Sequence, residues 1–136
     1  MKNMKKKSKK GFTLIELIVV IAIMGILAAI LVPVISGFIN AANEAADNAN
    51  GRLVYQAAAM YYATHNDATG SVDPGLLQPF TGLSVLPPLK TIPAGDWTIT
   101  INNDSSITVS YGTKTFNPVT AKFEQPAPSP TPTPGG

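Results

Sequence analysis

The spacing of apolar positions changes twice along the chain. From Leu17 to Ile35, nineteen consecutive residues carry no charge and almost no polar atom. As a helix this run is about 28 Å long, close to the roughly 30 Å hydrocarbon core of a bilayer. It exceeds the roughly 7–15 residues of a secretory signal core and is too short for two spans. Beyond it, Phe38, Ala42, Ala45, Ala49, Leu53, Ala57, Met60 and Thr64 recur at steps of three and four. Asn40, Asn43, Glu44, Asp47, Asn48 and Asn50 fall mainly on other faces. The pattern predicts an amphipathic helix with a narrow stripe of small residues. Gly51 weakens it by roughly 1 kcal/mol relative to alanine. The polar "THNDATG" at 64–70 should end it near His65. A single helix from Phe12 to His65 would run about 81 Å, more than the remaining chain can bury. Its first half must therefore meet lipid or other copies of itself.

Residues 66–95 hold five of the twelve prolines and read as an extended loop. One short helical turn is expected in "DPGLLQPF", with Asp73 as N-cap and Pro74 at the first helical position. The period then drops to two. Trp97, Ile99 and Ile101 alternate with threonines, and Ile107, Val109 and Tyr111 alternate with Thr108 and Ser110. "NNDSS" between these runs is turn chemistry, and "GTK" at 112–114 opens a shorter strand through Phe116. An antiparallel meander of three to four strands follows, apolar on one face. The helical stripe ending at Met60 is the available cover. The expected fold class is α+β, a long N-terminal α-helix packed on a small antiparallel β-sheet. The tail, residues 124–136, is Pro- and Thr-rich and should be extended. Ser129, Thr131 and Thr133 in it are acceptors for O-linked sugar, though a solvated tail is the simpler reading.

Charge refines this picture. Six of the ten basic residues are Lys2, Lys5, Lys6, Lys7, Lys9 and Lys10. Past Gly11 only Arg52, Lys90, Lys114 and Lys122 face all eight acids, leaving a side-chain charge of −4. The basic balance therefore gives nucleic acid no support as a partner beyond the first ten residues. Positive charge beside an apolar span instead stays cytoplasmic, which sends the rest of the chain outward. No cysteine is present, so no disulfide or thiolate metal site exists. His65 is the one histidine and reads as a helix-end residue rather than a base. Asp96 and Asp104 lie near strand ends, but without calcium-ligand spacing. No metal or cofactor site is assigned. Phe12, Phe38, Tyr55, Tyr61 and Tyr62 lie along the helix and read as packing aromatics rather than an electron path.

One residue conflicts with a plain anchor. Glu16 is a carboxylate just inside the apolar run, six residues after Lys10. Charges within spans are costly and usually mark function. Its alternative is to reach back to the headgroups. Gly11, just before Phe12, leaves the backbone there open to close approach from both sides.

"KKGFTLIELIVVIAIMGILAAILVP" resembles the leader and first helix of type IV pilins and pseudopilins, with their class III signal peptide. The resemblance covers about residues 9–36. It implies cleavage between Gly11 and Phe12 by a prepilin peptidase, and N-methylation of the new N-terminal Phe12. It also implies that Glu16, fifth in the mature chain, sets register by pairing with a neighbour's freed amine. Gly25 and Pro33 match family positions and mark a segment that would bend or loosen on assembly, with a simple kink as the alternative. On this reading residues 1–11 are a leader, 12–36 the transmembrane and assembly helix, and 37–65 its amphipathic half. Residues 66–95 form the loop, 96–123 the sheet and 124–136 the flexible tail.

The implied protein is non-enzymatic. It would be a pilin precursor that waits in the membrane with its N-terminus cytoplasmic, then polymerises into a helical surface filament. Such filaments serve adhesion, twitching motility, aggregation or DNA uptake. Implied partners are prepilin peptidase, an inner-membrane platform, an assembly ATPase and minor pilins. A pseudopilin of a type II secretion or competence system is the nearest alternative. A membrane-anchored or secreted binding domain, cut by signal peptidase near Ala41–Ala46, is the second. The lack of cysteine and the Pro-rich tail both depart from the family pattern.

Overall fold

The computed structural model describes residues 11–66, 68–92 and 94–126. The leader lysines and the tail acceptors Ser129, Thr131 and Thr133 lie outside them. The chain divides into two units, Met1–Ile39 and Asn40–Gly136. Helix α1, Leu14–Thr64, contributes to both. It starts two residues after the expected Phe12 and ends one before His65.

In the first unit every described residue is exposed. Leucines, isoleucines and valines face outward all round the helix, as expected of a segment whose partner is lipid or another chain. This stretch makes α1 long and apolar enough to cross a membrane. Gly25 and Pro33 both lie inside the continuous helix. Pro33 removes one helical N–H, and the hydroxyl of Ser36 donates to the Val32 carbonyl at 3.0 Å one turn later.

The second unit sets the end of α1 against a five-stranded antiparallel meander in the order β1-β2-β3-β4-β5. The strands are β1 (Gly70–Val72), β2 (Trp97–Ile101), β3 (Ile107–Tyr111), β4 (Lys114–Asn117) and β5 (Lys122–Glu124). The alternation predicted for β2 is realised, with Trp97, Ile99 and Ile101 buried and Thr98 exposed. The expected three to four strands become five because both edges are three-residue strands. Gly70-Ser71-Val72 pairs with β2 from within the presumed loop, and Lys122-Phe123-Glu124 pairs with β4. Neither is long enough to display alternation. The two-residue turn Gly112-Thr113 between β3 and β4 uses Gly112 at φ 57°.

The covering face of α1 shares Ala57 with the predicted stripe but otherwise departs from it. Asp47, Gly51, Val54, Ala57 and Ala58 are the buried residues, whereas Ala45, Ala49 and Met60 are exposed. Gly51 accounts for the shift. A Cβ there would lie 2.5 Å from Phe116 Cδ2 and 2.6 Å from Phe123 Cε2, so two rings occupy the space that glycine leaves. The Phe116 and Phe123 centroids are 5.4 Å apart in an edge-to-face arrangement, and Trp97 joins Phe123 at 6.0 Å. Phe123 N–H also donates to Asn48 Oδ1 at 3.1 Å, tying the last strand to the helix without a disulfide.

The segment between β1 and β2 is pinned rather than free. Asp73 caps a 3-10 turn, Pro74–Leu77, by accepting from Gly75 N–H at 2.7 Å, as its sequence predicts. The short helix α2, Gln78–Thr81, follows. Farther along, Leu86, Leu89 and Ile92 enter the core, and Trp97 Nε1–H donates to the Pro87 carbonyl at 3.0 Å. The carboxylate of Asp47, only 2% exposed, holds the Lys90–Thr91 backbone.

Candidate processing and assembly site

Residues 11–13 are not helical, so the Gly11–Phe12 bond precedes the first turn of α1. Phe12 is 94% exposed. A bond in non-helical, accessible backbone can enter a peptidase; one inside a helical ladder cannot without unwinding.

The helix boundary is set by Thr13 and Glu16. Thr13 N–H donates to Glu16 Oε2 at 2.8 Å, and the Thr13 hydroxyl donates to the same oxygen at 2.9 Å. In the reverse sense, Glu16 N–H lies 3.3 Å from Thr13 Oγ1. This reciprocal arrangement is a capping box, which satisfies two of the amide groups a helix leaves unpaired at its start. The first intrahelical bond, Leu17 N–H to the Thr13 carbonyl at 3.3 Å, fixes the same boundary. A carboxylate here also meets the positive end of the helix dipole.

Glu16 is therefore not a bare charge on an apolar surface. Its neighbours Phe12, Ile15, Leu17, Val19 and Val20 line one apolar concavity with it. Among the described residues, both Thr13 bonds reach Oε2 and none reaches Oε1. One carboxylate oxygen is thus committed to the helix start, and the other has no hydrogen bond among the described residues. Thr13 is absent from the sequence-derived candidates, although Thr13-Leu-Ile-Glu16 has the S/T-x-x-E spacing that signals a capping box.

Gly11, Phe12 and Glu16 thus fall within one turn of the helix start, while Gly25 and Pro33 lie farther along α1. A family model described as the prokaryotic N-terminal methylation motif matches residues 6–32. The chain carries the class III signal peptide of type IV pilins and pseudopilins. The methylation motif takes in the Gly11–Phe12 bond, the capping box and most of the apolar run. It supports a type IV pilin or pseudopilin precursor, a structural type of protein, and implies processing by prepilin peptidase and multimeric assembly. The long helix beside the antiparallel sheet is consistent with a pilin-like fold. No curated protein and no solved structure matches the chain.

The remaining candidates are not brought to this site. His65 stacks on Tyr61 with centroids 4.3 Å apart, and its Nδ1 lies 3.0 Å from the Tyr61 carbonyl oxygen. Tyr55 packs against Phe116, and Tyr61 meets Phe80 edge-on. Asp104 accepts from the Ser106 N–H and hydroxyl within its own turn. Those two bonds, the hydroxyl first, hold its carboxyl below the usual range. Among the described residues, no group of three or more His, Cys, Asp or Glu side chains is placed to hold a metal ion.

Proposed function

We propose that the chain is the precursor of a type IV pilin that polymerises through α1 into a surface filament. Leader removal between Gly11 and Phe12 creates an ammonium group, which is then N-methylated. In the filament that group on one subunit meets Glu16 of its neighbour. The observation that carries this reading is the state of the Glu16 carboxylate, with Oε2 held by Thr13 and Oε1 without a partner among the described residues. Opposite charges buried together between apolar helices satisfy each other, and they set axial register more than they add stability. Gly25 and Pro33 give the helix a weakened stretch that bends or loosens as subunits pack. The domain from residue 40 onward forms the fibre surface.

Electron microscopy of sheared surface fibres, with mass spectrometry of their subunit, tests the proposal. Fibres built from a subunit beginning at methylated Phe12 support it. A Phe12 start without surface fibres would move the chain to the pseudopilins. A start near residues 42–47, or an intact Met1, would overturn the whole reading.

A further inference from the structure

The hairpin between β2 and β3 carries the triplet Asn103-Asp104-Ser105, the sole Asn-X-Ser/Thr triplet without proline at X in the 136 residues. This is the pattern of an N-glycosylation acceptor, and its usual setting is a surface loop of an exported domain. All three residues are exposed. The turn is built by every polar side chain around Asn103 except Asn103 itself. Asn102 Nδ2 donates to Ser106 Oγ at 2.9 Å and to Thr108 Oγ1 at 3.2 Å. Asp104 is occupied by Ser106, as described above. Ser105 sits at φ 67° and its hydroxyl pairs with Tyr62 OH at 2.8 Å, which fastens the tip to α1. Among the described residues, the Asn103 side chain makes no hydrogen bond. Its amide is thus the one group at this tip that can be derivatised without dismantling the turn.

We infer that Asn103 is a glycosylation site, taking its sugar from a lipid-diphosphate-linked glycan on the outer side of the membrane. In the transfer, Asn103 Nδ2 bonds to the anomeric carbon of the glycan and loses one proton to a base of the transferase. The anomeric carbon–oxygen bond to the diphosphate breaks, and the lipid diphosphate leaves. No oxidant or reductant is needed. A glycan at the tip stands clear of the core residues Ile99, Ile101 and Val109 and adds a hydrated cap to the outward domain.

The inference rests on the outward placement of the second unit. It is tested on the full chain purified from its native cells by tryptic peptide mass spectrometry, with the N-terminus determined on the same material. The peptide Thr91–Lys114 should carry hexose or hexosamine mass. That mass should vanish in Asn103→Gln and Ser105→Ala and persist in Ser105→Thr, which keeps the hydroxyl that such transferases require. O-linked sugar on the tail would appear instead on the peptide starting at Phe123. An unmodified Thr91–Lys114 peptide in protein that begins at Phe12 would overturn this inference alone. Sugar retained in Asn103→Gln would overturn it too. An intact Met1 with the peptide unmodified would overturn it together with the processing it rests on.

Discussion

Phe116 stands over Gly51 with its Cδ2 atom 2.5 Å from the point a Cβ would occupy. Intrinsic propensity alone says that Gly51→Ala should stabilise α1 by roughly 1 kcal/mol. The contact reverses that sign. A methyl group must displace the rings of both Phe116 and Phe123, and overpacking of this kind costs about 1–3 kcal/mol. Gly51→Ala should therefore lower the urea midpoint of the second unit, measured on the full chain in detergent. Gly37→Ala is the control, since no atom lies within 4 Å of its Cβ position. An unchanged or higher midpoint for Gly51→Ala would show that the rings do not depend on the notch.

Asp47 gives the fold a dependence on acid. Lys90 N–H reaches its two carboxylate oxygens at 2.9 and 3.0 Å, and Thr91 donates to Oδ2 from N–H at 2.7 Å and from its hydroxyl at 2.6 Å. Burial by itself raises the pKa of the carboxyl. The Thr91 hydroxyl, the two N–H groups and the nearby Lys90 charge outweigh it and hold the value below the ordinary one. An unfolded aspartate titrates near about 3.9. The stabilisation is thus complete above that value and is lost as pH falls through the lower folded value. Asp47→Asn should cost roughly 2–3 kcal/mol at pH 7, since it loses charge-assisted bonds and turns a donor toward donors. Its deficit against the native chain should shrink toward pH 3 in urea titrations. A deficit independent of pH would mean that Asp47 acts by shape rather than charge.

These two residues also explain what could be read in advance. Trp97, Ile99 and Ile101 announced β2 because one face is buried and the other is not. Asp73-Pro74 announced its turn because cap chemistry is local. The buried face of α1 was not legible, because it includes an aspartate and a glycine. Asp47 is buried by donors 43 and 44 residues away, and Gly51 is buried for the side chain it lacks. A pattern of apolar side chains scores neither, so the stripe met the buried face at Ala57 but missed it at Ala45, Ala49 and Met60. At the N-terminus, the spacing and resemblance that singled out Gly11, Phe12 and Glu16 fall within the matched motif at residues 6–32. Glu16 read as a charge without a partner because its partner within the chain is the backbone N–H and hydroxyl of Thr13.

Asn48 is the polar tie between α1 and the last strand. It accepts the Phe123 N–H, 75 residues away in sequence, at 3.1 Å. Asn48→Ala should cost about 1 kcal/mol. The loss should be concentrated where the tie acts, so hydrogen exchange should quicken at Phe123 and not at Val109 in the middle of the sheet. Uniform acceleration would instead mean that Asn48 supports the whole unit.

On the proposed pilin reading, the capping box divides the processing step from the assembly step. Gly11→Val places a branched side chain beside the scissile bond, and it should leave an uncut precursor in the membrane and no fibres. Glu16→Ala leaves Gly11 and Phe12 unchanged, so the chain should still be cut but should assemble poorly. Thr13→Val removes the hydroxyl bond to Glu16 Oε2 but keeps the Thr13 N–H bond. It should fall between the native chain and Glu16→Ala in fibre yield, and Thr13→Ser should restore the native yield. Immunoblot mobility reads cleavage, and the amount of sheared fibre reads assembly. Normal fibre yield from Glu16→Ala would remove the register-pairing account. Equal yields from Thr13→Val and the native chain would show that the carboxylate needs no help from the cap to find its partner.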